Sequence, residues 1–375
     1  MKTENRTLPR SPAKLSVLHV VLSIGPTNCP YNEHCLPMSD KRDITICTYF
    51  PSSVVPPGGI GLFQGDATLK GFFRTLSTAL GAKRYDVVHA HTPHVALLFL
   101  AAHLASLRRR ATPAIVTVHD SYPNYRLRNR VMFLPVFAFF DRIVCCSHAS
   151  FRSFPAVYRW LAGRRLTAVQ NAMDIGRVDR VAAAVGRRRP GGQFTIAAVS
   201  RLVDIKNPFL LLKAFEQSSH AISRLIYIGD GALRPSLVAA RRHMSLEGQI
   251  EFTGLIPREK VYEHLLGADL FISTSRGEGL PLAVMEAMAC GCPVILSDIP
   301  PHREIAEGAD FIPIINPDDV AAFAREIDRF KSMPVCDRES IGSKCRRLVE
   351  ERYSMNGMHE RYGKVYSEAM MCMRD

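Results

Sequence analysis

A chain of 375 residues is longer than one hydrophobic core usually supports and suits two domains of about 150–200 residues each. Its composition, 47% hydrophobic and 22% charged, is that of an ordinary globular protein and excludes a disordered or fibrous one. The net charge of +13 is uneven: residues 1–171 hold 21 Lys and Arg against 8 Asp and Glu, while the remainder holds 27 of each.

A basic half joined to a neutral half points to an anionic partner for the first half alone. An anionic membrane surface or an anionic lipid-linked acceptor fits best. Nucleic acid is disfavoured, because no zinc finger, homeodomain, RNP-type aromatic motif or basic–aromatic interleaving is present. The basic clusters are Arg108-Arg109-Arg110, Arg126/Arg128/Arg130 and Arg164-Arg165. Ten cysteines include no C-x-x-C pair, so neither a metal nor a disulfide framework is expected, and buried thiols in a reducing cytoplasm are the default. The first residues are polar and contain proline, unlike a signal peptide. The longest clean apolar run, Val131–Phe140, has ten residues and is too short to span a bilayer. The expectation is a cytoplasmic protein with peripheral contact to the inner face of the membrane.

Apolar strand-like runs alternate with helical patterns from end to end. The strands predicted in the first half are Ser16–Ile24, Asp43–Phe50, Asp86–His91, Pro113–His119, Arg142–Ser147 and Leu166–Gln170. Those of the second half are Phe194–Ser200, Ser223–Ile228, Ile250–Phe252, Leu270–Ser273, Pro293–Leu296 and Phe311–Ile314. This βαβ rhythm of parallel sheets occurs twice, on either side of a break over Gly176–Gln193 that ends in the linker-like Gly186–Gly192. Two doubly wound domains follow, residues 1–174 and 175–354, with ligands beyond the carboxyl ends of their strands. In the first half, Pro56–Gly61 reads as a glycine-rich loop able to close over an acceptor. The stretch Arg126–Phe140 fits a core helix or a helix resting on a membrane.

The densest information lies in Ser275–Val294. A strand ends near Thr274, Glu278 stands in the following loop, Pro281 suits the first helical position, and Glu286 falls on the second turn. Gly291 and Pro293 stop the helix. Free amides of Leu280, Leu282 and Ala283 at the helix start attract phosphate, and the two carboxylates accept sugar hydroxyls. Upstream, Arg201 and Lys206 follow the strand Phe194–Ser200. Lys206 precedes Pro208 at a helix N-terminus, an unfavourable place for a cation without an anion. Ile228-Gly229-Asp230-Gly231 reads as a tight turn whose glycines permit close approach.

The string Glu278 to Glu286, with Arg201, Lys206 and the Gly229-Asp230-Gly231 turn, closely resembles the Glu-x7-Glu signature of retaining GT-B glycosyltransferases, in particular glycosyltransferase family 4. The likeness extends less strongly to Asp86-Val87-Val88-His89-Ala90-His91, Thr117-Val118-His119 and Asn171-Ala172-Met173-Asp174. It implies an α/β GT-B fold of two Rossmann-like domains, the helix 355–375 crossing back to the first. The implied donor is a UDP- or GDP-sugar, and the implied acceptor a glycan or lipid-linked hydroxyl in bacterial envelope or exopolysaccharide synthesis. By resemblance, His119 contacts the donor sugar or its phosphate. Arg201 and Lys206 hold the diphosphate, Glu278 the sugar and Glu286 the ribose. Gly25, Gly229, Leu255, Gly279, Leu280, Pro281 and Leu282 line the donor. No cofactor or metal is implied, and His89 and His91 are read as orienting loops before binding metal. Gly25 is a departure, since the family usually carries two glycines after the first strand. A sugar-nucleotide epimerase on the same fold, or a weakly active nucleotide-sugar or anionic-lipid binding module, is the alternative.

Overall fold

A computed structural model describes residues 14–26, 28–105, 112–186, 192–219 and 223–372. The expected basic cluster Arg108-Arg109-Arg110 and most of the linker-like Gly186–Gly192 lie outside these residues.

Thirteen strands among the described residues form two sheets. The first contains β1 (Ser16–Val21), β2 (Asp43–Thr48), β3 (Gly61–Gln64), β4 (Val87–His91), β5 (Ala114–Val118), β6 (Arg142–Cys145) and β7 (Leu166–Ala168), in the order β3-β2-β1-β4-β5-β6-β7. The second contains β8 (Phe194–Val199), β9 (Ser223–Ile228), β10 (Ile250–Gly254), β11 (Leu270–Ser273), β12 (Val294–Ser297) and β13 (Ile314–Ile315), in the order β10-β9-β8-β11-β12-β13. β1 pairs parallel with β2 and β4, and β8 pairs parallel with β9 and β11. Strands such as β4 and β12 are buried along their whole length, as parallel strands covered on both faces must be.

Both sheets reverse their winding beside their first strand, between β1 and β4 and between β8 and β11. In an open parallel sheet that reversal leaves a crevice at the carboxyl ends of the two strands. In the second sheet it lies after Val199 and after Ser273, the segments that carry Arg201, Lys206 and Glu278.

The contacts of the chain resolve into two compact units. One takes the chain up to Val116, with Phe139–Arg142 and the part from Val365 on; the other takes Thr117–Ala138 and Ile143–Lys364.

Three local expectations are corrected. The glycine-rich loop Pro56–Gly61 leads into an unexpected strand, β3, whose Gly61 pairs with Thr45. The break Gly176–Gln193 is largely the helix Ile175–Val185, started by Asp174 accepting the Arg177 amide at 3.1 Å. The strand expected over Phe311–Ile314 is two residues, Ile314–Ile315.

Candidate active site

The helix Leu282–Ala289 begins one residue later than Pro281 suggests. Pro281 is its N-cap, at φ −75° and ψ 106°. The helix ends in a Schellman motif: the Gly291 amide bonds the Met288 carbonyl at 2.9 Å and the Cys292 amide bonds that of Ala287 at 3.0 Å. Gly291 takes the required left-handed φ of 72°.

The loop before this helix is held by its carbonyls. The Ser121 hydroxyl donates to the Glu278 carbonyl at 2.7 Å, and the Ser147 hydroxyl donates to that of Gly279 at 2.7 Å. The Asn171 amide reaches the Leu280 carbonyl at 3.5 Å. In a trans peptide the carbonyl and the next amide point opposite ways. The N–H groups of Gly279 and Leu280 therefore face away from Ser121 and Ser147, and with that of Leu282 they offer donors at a helix start. Two glycines let the loop come this close. A Cβ on Gly279 would stand 2.3 Å from the His119 carbonyl oxygen, and one on Gly277 would stand 2.3 Å from Asn124 Oδ1.

Lys206 follows β8 in the short turn Asp204–Lys206. The Thr274 hydroxyl, just beyond β11, fixes that turn by donating to the carbonyls of Lys206 at 3.1 Å and Asn207 at 3.0 Å. The anion that a cation before Pro208 calls for is the Glu278 carboxylate: Lys206 Nζ lies 2.5 Å from Glu278 Oε1, both largely shielded from solvent. The same Oε1 accepts the Ser275 hydroxyl at 2.7 Å. Behind it stands the buried His302, whose Nδ1 donates to the Ser297 carbonyl at 2.8 Å and whose Nε2 lies 3.3 Å from the Ser273 hydroxyl. Burial lowers the His302 pKa to about 4, so the ring is neutral at neutral pH. The sequence reading missed Ser121 and His302, and it marked Ser147 only as the end of a strand that resembles the family's; His302 lies in the short helix Pro300–Ile305.

Glu286 is buried. Its Oε1 lies 3.3 Å from the Tyr262 hydroxyl and 3.4 Å from Arg258 Nε, both on the helix Arg258–Leu266. The two carboxylates thus have separate cations. Arg201 is exposed, and its guanidinium makes no hydrogen bond or ion pair among the described residues. His119 follows β5 and is half-buried; desolvation lowers its pKa to about 4, so it too is neutral. Asp120 beside it is pushed up by burial, opposed by a 2.5 Å hydrogen bond from the Asn124 amide. Ser121, Asn124, Arg152, Arg276 and Glu278 help to line a cavity of about 350 Å³.

The other expected donor residues are placed as follows. Gly229, at φ 130°, packs against the Arg201 loop, where a Cβ would meet the Ser200 carbonyl oxygen at 2.2 Å. That loop is laced to the turn by the Leu202 amide on the Asp230 carbonyl at 2.9 Å. Both facts supply a structural reason for the glycine. Leu255, after β10, is 77% exposed. Gly25 follows β1, with Ser53 Oγ 2.9 Å from where its Cβ would be.

In the first sheet, His19, His89 and His91 bring ring nitrogens within 4.8 Å of one another. They bond within the fold: His19 Nδ1 lies 2.9 Å from His91 Nε2, and His89 Nδ1 lies 2.7 Å from the Tyr366 hydroxyl of the final helix Met355–Met371.

Two parallel sheets of this order are those of a GT-B fold, and the helix start, lysine and glutamate at the switch point of the second fit a glycosyltransferase of that class. Comparison with known proteins gives the family. Residues 45–177 match the profile "Glycosyltransferase Family 4" and residues 184–355 match "Glycosyl transferases group 1". The chain belongs to the family 4 glycosyltransferases. It is 24% identical over 313 residues to a phosphatidylinositol N-acetylglucosaminyltransferase subunit of Arabidopsis thaliana, covering 81% of this chain and 67% of that one. It is 25% identical over 283 residues to the UDP-Gal:alpha-D-GlcNAc-diphosphoundecaprenol alpha-1,3-galactosyltransferase of Escherichia coli, covering 70% and 69%. The solved structure of Anabaena HepE with UDP and glucose superposes with a TM-score of 0.75 at 17% identity, over 94% of this chain and 99% of that one.

Proposed function

We propose that the protein transfers a sugar from a UDP- or GDP-sugar, with retention at the anomeric carbon, to a hydroxyl of a glycan or lipid-linked acceptor at an anionic membrane surface. The single observation that carries this reading is the Lys206–Glu278 pair at 2.5 Å, set beside the inward-held carbonyls and outward amides of residues 278–280. Such a site matches a diphosphate joined to a sugar. Lys206, Arg201 and the amides of Gly279, Leu280 and Leu282 offset charge on the leaving diphosphate. Glu278, its Oε1 already bonded to Lys206 and Ser275, presents Oε2 to sugar hydroxyls. Glu286 accepts the ribose hydroxyls, and His119, neutral, hydrogen-bonds the sugar or its phosphate.

On this reading the acceptor hydroxyl attacks the face that the diphosphate leaves, and its proton passes to a leaving phosphate oxygen. No carboxylate base is needed. On this reading Lys206 and Arg201 serve the leaving diphosphate and no metal takes part. Anabaena HepE, crystallised with UDP-glucose, and the E. coli galactosyltransferase, named for UDP-Gal and a diphosphoundecaprenol acceptor, lend support by likeness.

A thermal-shift panel of UDP- and GDP-sugars tests the donor. A ligand at 100 times its Kd stabilises by about 2.7 kcal/mol. One base should raise Tm and the other should not. Glu286→Gln should weaken nucleotide affinity about tenfold by calorimetry, for loss of one charge-assisted bond. Unchanged affinity in that variant would remove Glu286 from the site. A panel with no shift for any nucleotide sugar would overturn the donor reading.

A further inference from the structure

We propose that the outer faces of the helices Leu127–Phe139 and Ala156–Ala162 form a surface that docks on an anionic lipid bilayer. This deepens the membrane element of the proposed function by naming the surface that makes the contact.

The helix Leu127–Phe139 is apolar on two sides. Phe133, Val136 and Phe137 are buried, and the rings of Phe133 and Phe137 pack on Phe154 at centroid distances of 5.2 and 4.9 Å. Leu127, Val131 and Leu134, spaced i, i+4, i+7, share a separate stripe and are 75%, 57% and 42% exposed. An exposed aliphatic stripe on a helix whose opposite face is already buried, with arginines at its start, suits a lipid interface. The helix Ala156–Ala162 sits next to it, its Tyr158 hydroxyl donating to the Arg130 carbonyl at 2.8 Å. It turns out Val157 and the chain's single tryptophan, Trp160, which is 81% exposed. An exposed tryptophan beside branched aliphatic side chains is the composition of a membrane-interface contact.

Charge selects the occupant. Residues 121–165 contain eight arginines and one acidic residue, Asp141, whose Oδ2 accepts the Ala114 amide. Arg130 and Arg165 are spent on carbonyls of their own fold, and Arg142 pairs with Glu368. Arg126, Arg128, Arg159 and Arg164 are exposed and pair with no acidic group among the described residues, while Arg152 lines the cavity beside Glu278. Arginines around an aliphatic–tryptophan patch fit lipid phosphates above acyl chains. The segment Ser121–Asn124, which leads into the Leu127 helix, also lines the cavity beside Glu278. An acceptor anchored in the same bilayer would therefore be presented next to the site.

Because Trp160 is the only tryptophan, its emission reports on the patch alone. The full chain, without donor or acceptor, is titrated with vesicles of phosphatidylglycerol and phosphatidylcholine, and with phosphatidylcholine alone. Anionic vesicles should move the emission to shorter wavelength and carry the protein down on sedimentation, and high salt should reverse both. Arg126→Gln and Arg128→Gln should each lower partitioning about fivefold, the equivalent of roughly 1 kcal/mol per basic residue near an anionic surface. Leu127→Ser with Val131→Ser should abolish the emission shift while the circular dichroism stays that of the parent. Unchanged emission with anionic vesicles, equal binding to neutral ones, or a patch closed by self-association in velocity sedimentation would each overturn the proposal. None of these outcomes touches donor binding, so the transferase reading is judged separately by the nucleotide-sugar panel.

Discussion

Lys206 and Arg258 each meet a carboxylate at the proposed donor site, whereas the exposed Arg126, Arg128, Arg159 and Arg164 meet none among the described residues. In the first region, cation and anion come from the same fold, largely shielded from water and fixed by neighbouring serines. That pairing keeps a binding site in register before any ligand arrives, since an unpaired charge there would be costly. In the second region the charges lie in solvent, where the fold gains little from them. On the proposed function, the difference separates residues arranged for chemistry from residues arranged for a partner outside the chain.

The strongest test of the comparison is Lys206→Ala. It removes the cation that pairs with Glu278 and that we propose faces the leaving diphosphate, so turnover should fall on the order of 10³-fold. Circular dichroism should show the fold intact; a variant keeping near-parent activity would break the assignment. Gly279→Ala comes next. Its Cβ would stand 2.3 Å from the His119 carbonyl oxygen, backbone that cannot rotate away. A loss of roughly 2–3 kcal/mol in urea unfolding is expected; full stability would mean that the loop has room to shift.

Acidification separates the regions in another way. His302 has its pKa lowered to about 4 in the fold, against about 6.5 unfolded. Between those values the unfolded chain binds a proton that the native state refuses. The stability tied to the neutral ring is complete above about pH 6.5 and is lost as pH falls towards 4. At pH 5 the loss from this ring is roughly 2 kcal/mol. The urea midpoint should drop between pH 7.5 and 5, and an unmoved midpoint would refute the neutral-ring assignment. The smallest effect belongs to the exposed arginines: Arg128→Gln should leave unfolding stability within about 0.5 kcal/mol of the parent. A larger loss would reveal an internal partner and place Arg128 with the first region.

Much of this is readable in the sequence because parallel strands buried on both faces appear as uninterrupted apolar runs. That signal locates β8, β9 and β11 to within a residue. It does not find β3: Gly-Leu-Phe-Gln is short, lies at a sheet edge and follows two prolines and two glycines that read as loop. The helix Ile175–Val185 is hidden because its glycine and its arginine- and alanine-rich run resemble a linker. At the site, Lys206 and Glu278 can be nominated from position, but not their mutual contact, which depends on loops far apart in the chain. Ser121 in its loop and His302 in the helix Pro300–Ile305 leave no local signal, and the Ser147 that ends a family-like strand is only a strand end until its partner is known. The two-sided helix Leu127–Phe139 is ambiguous for a physical reason: both faces are apolar, and only the fold shows which one is covered.

The carbonyls of residues 278–280 are engaged by Ser121, Ser147 and Asn171, groups of the protein's own fold. On the proposed function, a donor arriving there meets a template and not a loop that it must order. Little chain entropy is then surrendered at this wall on binding. The selectivity of the enzyme for its sugar would accordingly be carried in enthalpy, by rejecting hydroxyls that find no acceptor in a frame that does not yield.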